Sequence, residues 1–278
     1  MDIHKIPDGE KLDILREYND MLCGLPMGCH VDIAISKMYI LLRRRMGIYD
    51  PLCEAKREQN AQASALIEAA ENMIASQDDL LLGSLKMSCV GNMIDFTFGD
   101  RFDVESEMGL YMGRDFALSD YEEFQKKLQK AVAIVLVCDN AGEIIFDRLL
   151  LEEIAKWKER RKSTPPKFCV LVKGAPILND AMMEDAEFAG MGKIAEVRTT
   201  GCEYIGAPQG LISPEASDAL ANADLIIAKG LANFESMHHE TKFAQHAFYL
   251  FKSKCAPVSR KIGVQQHSAV LLHGKRFA

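Results

Sequence analysis

The stretch from Ala131 to Ile154, AVAIVLVCDNAGEIIFDRLLLEEI, constrains the fold more than any other part of the chain. Ala131 to Val137 is an unbroken run of β-branched and small apolar residues, the pattern of a strand buried on both faces of a parallel sheet. The period then changes. Phe146, Leu150, Ile154 and Trp157 recur at steps of four, four and three, one stripe of an amphipathic helix. Asp139, Asn140, Ala141, Gly142 and Glu143 lie between. A strand that feeds a helix through a short turn sets that turn at the carboxyl edge of an open sheet, where such folds bind ligands. The turn is too acidic for a bare phosphate, but a carboxylate beside an amide oxygen suits a hard cation. The same residues admit a structural reading, in which Asn140 caps the helix and Asp139 and Glu143 complement its dipole. This stretch alone leaves both readings open.

From residue 129 onward, strand and helix alternate. Predicted strands are Ala131–Val137, Lys167–Val172, Ile194–Arg198, Asp224–Ala228, Phe248–Phe251 and Ala269–Leu272, with helices over Asp180–Gly190 and Pro214–Asn222 among those between. This is the rhythm of a doubly wound, Rossmann-like α/β sheet. Residues 1–128 show helical period instead. His30–Met46 is a helix stopped by Gly47, Asp50-Pro51 opens a second that runs to about Ser76, a third covers Asp78 to about Met93, and helix returns at Tyr121–Lys130. The expected organisation is a helical cap region over 1–128 and an α/β catalytic domain over 129–278.

In such a sheet the turns after the strands converge on one crevice, so they are read together. After the second strand come Lys173-Gly174 and Asn179-Asp180; after the third, Thr200, Gly201, Gly206 and Gly210; after the fourth, Lys229-Gly230, Asn233 and Glu235; after the fifth, Lys252 and Lys254. Glycines with lysines, amides and acids are the composition of a metal and phosphate site. Each residue also has an ordinary role: Asp180 as a helix cap, Lys173 and Lys229 as solvated lysines, the glycines as suppliers of positive φ. The shared theme of successive turns weighs against reading all of them so. No GxGxxG follows the first strand and no GxxxxGK[ST] occurs, which argues against a dinucleotide or P-loop nucleotide.

A net charge of -7 and the lack of a basic aromatic patch argue against nucleic acid. No apolar run is long enough to span a bilayer, and MDIHKIPDGEKLD lacks the features of a signal peptide, so a cytoplasmic protein without membrane partners is expected. The eight cysteines form no CxxC, which removes zinc-site spacing and leaves mostly buried thiols.

Four blocks carry a resemblance to a known family: DNAGEIIFD (Asp139–Asp147), KGAPILNDA (Lys173–Ala181), ADLIIAKGLANFES (Ala223–Ser236) and KSKCAPVS (Lys252–Ser259). DPLCEAKREQN (Asp50–Asn60) and GNMID (Gly91–Asp95) extend it into the helical half. These blocks resemble the damage-control phosphatases, in particular their bacterial and archaeal branch. The resemblance implies a metal-dependent phosphatase acting on small phosphorylated metabolites such as sugar phosphates, with a helical N-terminal part on a Rossmann-like domain. It implies metal ligands at Asp139, Asn140 and Asp180 and a phosphate-facing lysine at Lys254. It also places Lys229, Asn233 and Glu235 near the site. Two departures stand out. Cys23 and Cys29 are too far apart for the closely spaced N-terminal pair frequent in that branch, and Leu231 stands where a polar residue usually follows KG.

The expected chemistry follows. An all-oxygen ligand set favours Mg²⁺ or Mn²⁺, with Co²⁺ or Ni²⁺ as further candidates. Lys254 covers phosphate charge, Lys173, Lys229, Gly230 and Asn233 contact substrate, and Glu235 or Glu143 orients an attacking water. A non-catalytic sugar-phosphate sensor on the same sheet is the alternative from another class. A protein carboxyl methyltransferase fits less well, because the first turn is acidic and holds a single glycine, Gly142.

Overall fold

A computed structural model of the chain describes residues 6–91 and 104–277. In chain order the described elements begin with helices α1 (Asp8–Cys23), α2 (Val31–Met46), α3 (Cys53–Ala65), α4 (Ile67–Ala75), α5 (Leu80–Val90) and α6 (Val104–Met112). Then come β1 (Leu118–Ser119), α7 (Tyr121–Lys130), β2 (Ala133–Val137), α8 (Glu143–Arg160), β3 (Lys167–Val172), α9 (Met183–Phe188) and β4 (Glu196–Thr199). The last are α10 (Pro214–Ala221), β5 (Leu225–Lys229), α11 (Gly230–Met237), α12 (Thr241–Ala244), β6 (Ala247–Lys252), α13 (Ala256–Ile262) and β7 (Ala269–His273).

The seven strands form one sheet in the order β1-β7-β6-β5-β2-β3-β4. Neighbours are parallel except for β6 and β7, which run antiparallel. The strands alternate their side chains between two apolar layers, as period 2 requires. Ile134, Leu136, Val170, Leu225, Ile227, Phe248 and Leu250 face the layer shared with α4, α5 and α8. Val135, Val137, Leu171, Ile226, Ala228, Tyr249 and Phe251 face the layer shared with α10 and α11. The chain is thus an α/β fold with a seven-stranded sheet and a helical N-terminal region.

The stripe Phe146, Leu150, Ile154 and Trp157 is buried, and α8 is also buried at Leu149 and Leu151 because α5 packs against it. That explains why α5, LLLGSLKMSCV, is apolar almost all round. The helix predicted from Asp50 to Ser76 is broken at Leu66 (φ -96°, ψ 0°) into α3 and α4. The break has a purpose in the packing. α3 buries Lys56, Gln59, Asn60 and Ala63, whereas α4 buries Ala70 and Ile74. One half presents polar groups and the other joins the apolar layer.

The two-residue edge strand β1 lies before residue 128 and has no counterpart among the predicted strands; it pairs in parallel with β7. Helix α6 lies between the predicted helix ending near Met93 and the one starting at Tyr121, and has no counterpart among the predicted helices. The predicted end of the third helix near Met93, and most of the GNMID block, lie outside the described residues.

Candidate functional site

The sheet sets the site before any side chain is considered. β2 pairs with β3 on one side and β5 on the other, so the strand order reverses between β2 and β5. In open α/β sheets the crevice beyond the carboxyl ends at such a reversal is where ligands bind. Asp139 follows β2 and Gly230 follows β5, on adjacent strands.

These two residues touch. A Cβ built on Gly230 would lie 2.1 Å from the Asp139 Cγ and Oδ2, and Gly230 has φ +79°. Only glycine lets the β5–α11 turn close over that carboxylate, because any side chain here meets both a collision and an unfavourable φ.

The loop after β3 supplies the third donor. Residues Asn140 and Asp180 form an isolated antiparallel bridge, in which Ala181 N–H donates to Asp139 O (2.8 Å) and Ala141 N–H donates to Asn179 O (2.9 Å). The bridge brings Asp139, Asn140 and Asp180 together. It also excludes the capping alternatives. Helix α8 starts at Glu143 with Gly142 at its N-cap and no side-chain cap bond, and α9 starts at Met183 with Met182 at its N-cap. Asp185, not Asp180, accepts the Met182 N–H (2.8 Å).

Around this set the charges are unevenly compensated. Asn140 Nδ2 donates to Asp139 Oδ2 (2.9 Å) and to Glu143 Oε2 (3.2 Å). Burial, then the charges of Glu143 and Asp180, push the Asp139 carboxyl up to about 8, although Lys254 and Lys229 oppose this. Burial also raises Asp180, against the pull of Lys173. Among the described residues no group of three or more His, Cys, Asp and Glu side chains is arranged to hold a metal. The donors that the resemblance implies, Asp139, Asn140 and Asp180, are two carboxylates and an amide.

Several residues expected to face substrate lie underneath instead. Lys229 and Glu143 are fully buried: Lys229 Nζ donates to Glu143 Oε1 (2.5 Å), Asp147 Oδ1 (2.6 Å) and Ser88 O (3.0 Å). Burial alone would lower the Lys229 ammonium, but Asp147 and Glu143 hold it above its usual range. This network ties α5, α8 and β5 together, so Lys229 supports the turn from below and Glu143 is held in an ion pair. Lys173 is also buried; it donates to Gly206 O and pairs with Asp180 Oδ2 at 3.3 Å. Its amine orients a candidate ligand. Asn233 Nδ2 donates to Cys138 O (3.0 Å) and Lys229 O (2.6 Å), which fixes the ends of β2 and β5 relative to each other.

Lys254 and Glu235 are not enclosed in this way. Lys254 is exposed, in the loop after β6, with its charge felt at Asp139. Glu235 is half-buried on α11; burial and the nearby Asp32 raise its carboxyl to about 7.

Two contributors escaped the sequence reading. Asn60 on α3 accepts the Gly142 N–H at Oδ1 (2.7 Å) and donates from Nδ2 to Asp185 Oδ1 (2.7 Å). It thereby holds the DNAGE turn and the start of α9 from the helical half. Gly142 (φ +75°) brings its backbone so close to α3 that a Cβ would sit 3.1 Å from Gln59 O. Asp147 anchors Lys229 from the next turn of α8 and accepts Ser88 Oγ–H (2.6 Å). Both residues lie inside blocks already quoted, DPLCEAKREQN and DNAGEIIFD, but nothing local marks their roles.

A family profile described as the damage-control phosphatase ARMT1-like domain matches residues 4–270. The chain belongs to this family. A damage-control phosphatase of Pyrococcus horikoshii is 31% identical over 263 residues, spanning 94% of this chain and 85% of that protein. One of Archaeoglobus fulgidus is 34% identical over 261 residues, 92% of this chain and 84% of that protein. The crystal structure of a DUF89 family protein from Pyrococcus horikoshii superposes with a TM-score of 0.87 at 27% identity, covering 98% of this chain and 93% of that one. The family resemblance carried by the four blocks is thereby established, and with it the fold.

Proposed function

We propose that this damage-control phosphatase family member is a metal-dependent phosphomonoesterase of small phosphorylated metabolites, sugar phosphates among them. The observation that carries the reading is the convergence of Asp139, Asn140 and Asp180 at the strand-order reversal, with a buried carboxylate crowded by two others. Such crowding favours a divalent cation, and the donors are the oxygen types that Mg²⁺ and Mn²⁺ prefer, with Co²⁺ and Ni²⁺ as further candidates. These three residues would hold the ion, which when bound neutralises phosphate charge and acidifies water.

The protein groups divide the remaining work. Lys254, exposed and within electrostatic reach of Asp139, is the cation available to a phosphate oxygen. Lys173 holds Asp180, and the buried Lys229 balances Glu143 and Asp147 beneath the turn. Glu235, with a carboxyl raised to about 7, is the group we assign to taking a proton from an attacking water. Glu143 is the weaker candidate for that task because Lys229 already occupies it. Among the described residues no helix is long and apolar enough to cross a membrane.

The test is a panel of phosphate esters against Mg²⁺, Mn²⁺, Co²⁺ and Ni²⁺, with released phosphate as readout. Release that stops with chelator, and a loss of about a hundredfold or more in Asp139→Ala and Asp180→Ala while both remain folded, is the expected result. Near-normal turnover in either variant at saturating Mn²⁺ would remove it from the ligand set. Ligand binding with no turnover on any ester would favour a sensor.

A further inference from the structure

Beside the phosphate-facing loop lies a cavity of about 320 Å³ that the reading above does not use. Its lining includes Lys86, Cys89, Tyr111, Arg114, Gln266 and His267. It adjoins the site: Gln266 Nε2 donates to Lys254 O (2.7 Å), and the charge of Lys254 is felt both at Cys89 and at Asp139.

The cavity's charges are not balanced. Lys86 has a partner in Asp115 Oδ1 (3.2 Å). Arg114 in the lining does not, nor does Lys252, which lies outside the lining but close to Tyr111; among the described residues neither forms an ion pair with a carboxylate. Both instead lie over one ring, that of Tyr111, at 5.3 Å for the guanidinium and 5.6 Å for the ammonium. Burial and the adjacent Lys254 push the Lys252 ammonium below its usual value, and nearby Glu107 does not cancel this. In a chain of net charge -7, two cations without an ion-pair partner among the described residues, gathered at one aromatic ring next to a third at Lys254, need a reason. Like charges held together with partial desolvation cost stability, and an anion between them reverses the sign.

We propose that this cavity receives a second anionic group of the substrate, so that the favoured esters carry a phosphate or a carboxylate in addition to the phosphate that is hydrolysed. The proposal rests on the phosphatase reading for the first phosphate. Arg114 provides a planar donor fork for either oxyanion, Lys252, close to Tyr111 but outside the lining, adds positive potential, and Gln266 and His267 offer polar contacts. The volume accommodates one oxyanion with a few carbon atoms.

The experiment compares, by calorimetry with chelator present so that no ester turns over during the titration, a hexose monophosphate, the matching hexose bisphosphate and the matching phosphorylated sugar acid. The proteins are the full chain, Arg114→Gln, Lys252→Met and, as a control for overall charge, the exposed and distant Lys193→Gln. The unaltered protein is expected to bind at least one doubly anionic compound about tenfold more tightly than the monophosphate. That advantage should fall to about twofold or less in Arg114→Gln and in Lys252→Met, and should persist in Lys193→Gln. Preference for the bisphosphate identifies phosphate as the second group, and preference for the sugar acid identifies carboxylate. Equal affinities in the unaltered protein, an advantage that survives both cavity variants, or its loss in Lys193→Gln would each overturn the proposal. Parallel phosphate-release assays separate the two readings. If no ester is hydrolysed with any metal, the phosphatase reading falls while the affinity comparison still decides the cavity.

Discussion

At the scale of the residue, the site has least tolerance at Gly230. The Asp139 carboxylate lies where a Cβ would be, and the backbone is already in the left-handed region. Gly230→Ala is expected to move Asp139 or open the β5–α11 turn, with phosphate release falling about a hundredfold, as misplacement of a reacting group by about 1 Å does. A kinetic comparison at saturating metal checks this. Glu235 offers a different handle. Its folded carboxyl is raised to about 7 by burial and Asp32, so between the ordinary glutamate value and 7 the folded state binds more protons than the unfolded. Glu235 therefore contributes stability that is fully present below the unfolded value and lost as pH rises through about 7. Melting curves of chelated protein from pH 5 to pH 9 should show a smaller fall in Glu235→Gln than in the unaltered chain. An identical fall would mean that Glu235 ionises as it does in water.

At the scale of the element, the DNAGE turn is held from several sides. The β3–α9 loop bridges it, Gly230 of α11 covers it, and Lys229 with Asp147 supports it from within. Asn60 of α3 adds a fourth constraint through Gly142 and Asp185. Asn60→Ala leaves the Gly142 N–H without its acceptor in a buried place, which should cost about 1–3 kcal/mol in denaturant titrations. Because the lost bond leads into the turn that carries two of the proposed metal ligands, Mn²⁺ affinity should weaken as well. Unchanged affinity would show that the other three constraints suffice. Asn60→Ser, which keeps an acceptor, should recover part of the stability.

At the scale of the whole molecule, the helical segment and the sheet share their apolar interior. Leu81, Leu85 and Met87 of α5 lie in the same buried cluster as Phe146 and Leu150 of α8 and Ile134 and Leu136 of β2. Strand β1, from before residue 128, completes an edge of the sheet. A fragment comprising residues 129–278 would expose the face of α8 that α5 covers, together with the β7 edge, so it should aggregate or lack a cooperative transition. The full chain should unfold in one step by circular dichroism and by tryptophan fluorescence, since Trp157 sits in that shared cluster. A soluble fragment with a sharp melt would instead show that the α/β part folds independently.

The sequence by itself determined the features that depend on short-range pattern. Strand-like runs marked six of the seven strands, helical period marked several helices though not α1, and acid, amide and glycine in successive turns marked the crevice, while the trio Asp139, Asn140 and Asp180 came from the family resemblance. Strand β1 was invisible because two residues carry no period, and the break at Leu66 because α3 and α4 are each helical by local preference. What only the tertiary structure decided is which polar groups meet. A lysine after a strand reads the same whether its amine reaches solvent, as Lys254 does, or is enclosed by two acids, as Lys229 is. That difference depends on α5 and α8, which lie 141 and 82 residues away along the chain at Ser88 and Asp147. The docking of Asn60 on Gly142 and the gathering of Arg114 and Lys252 at Tyr111 are likewise contacts between distant segments. Such contacts leave no periodic trace in the sequence, because burial and charge pairing are properties of the packed chain.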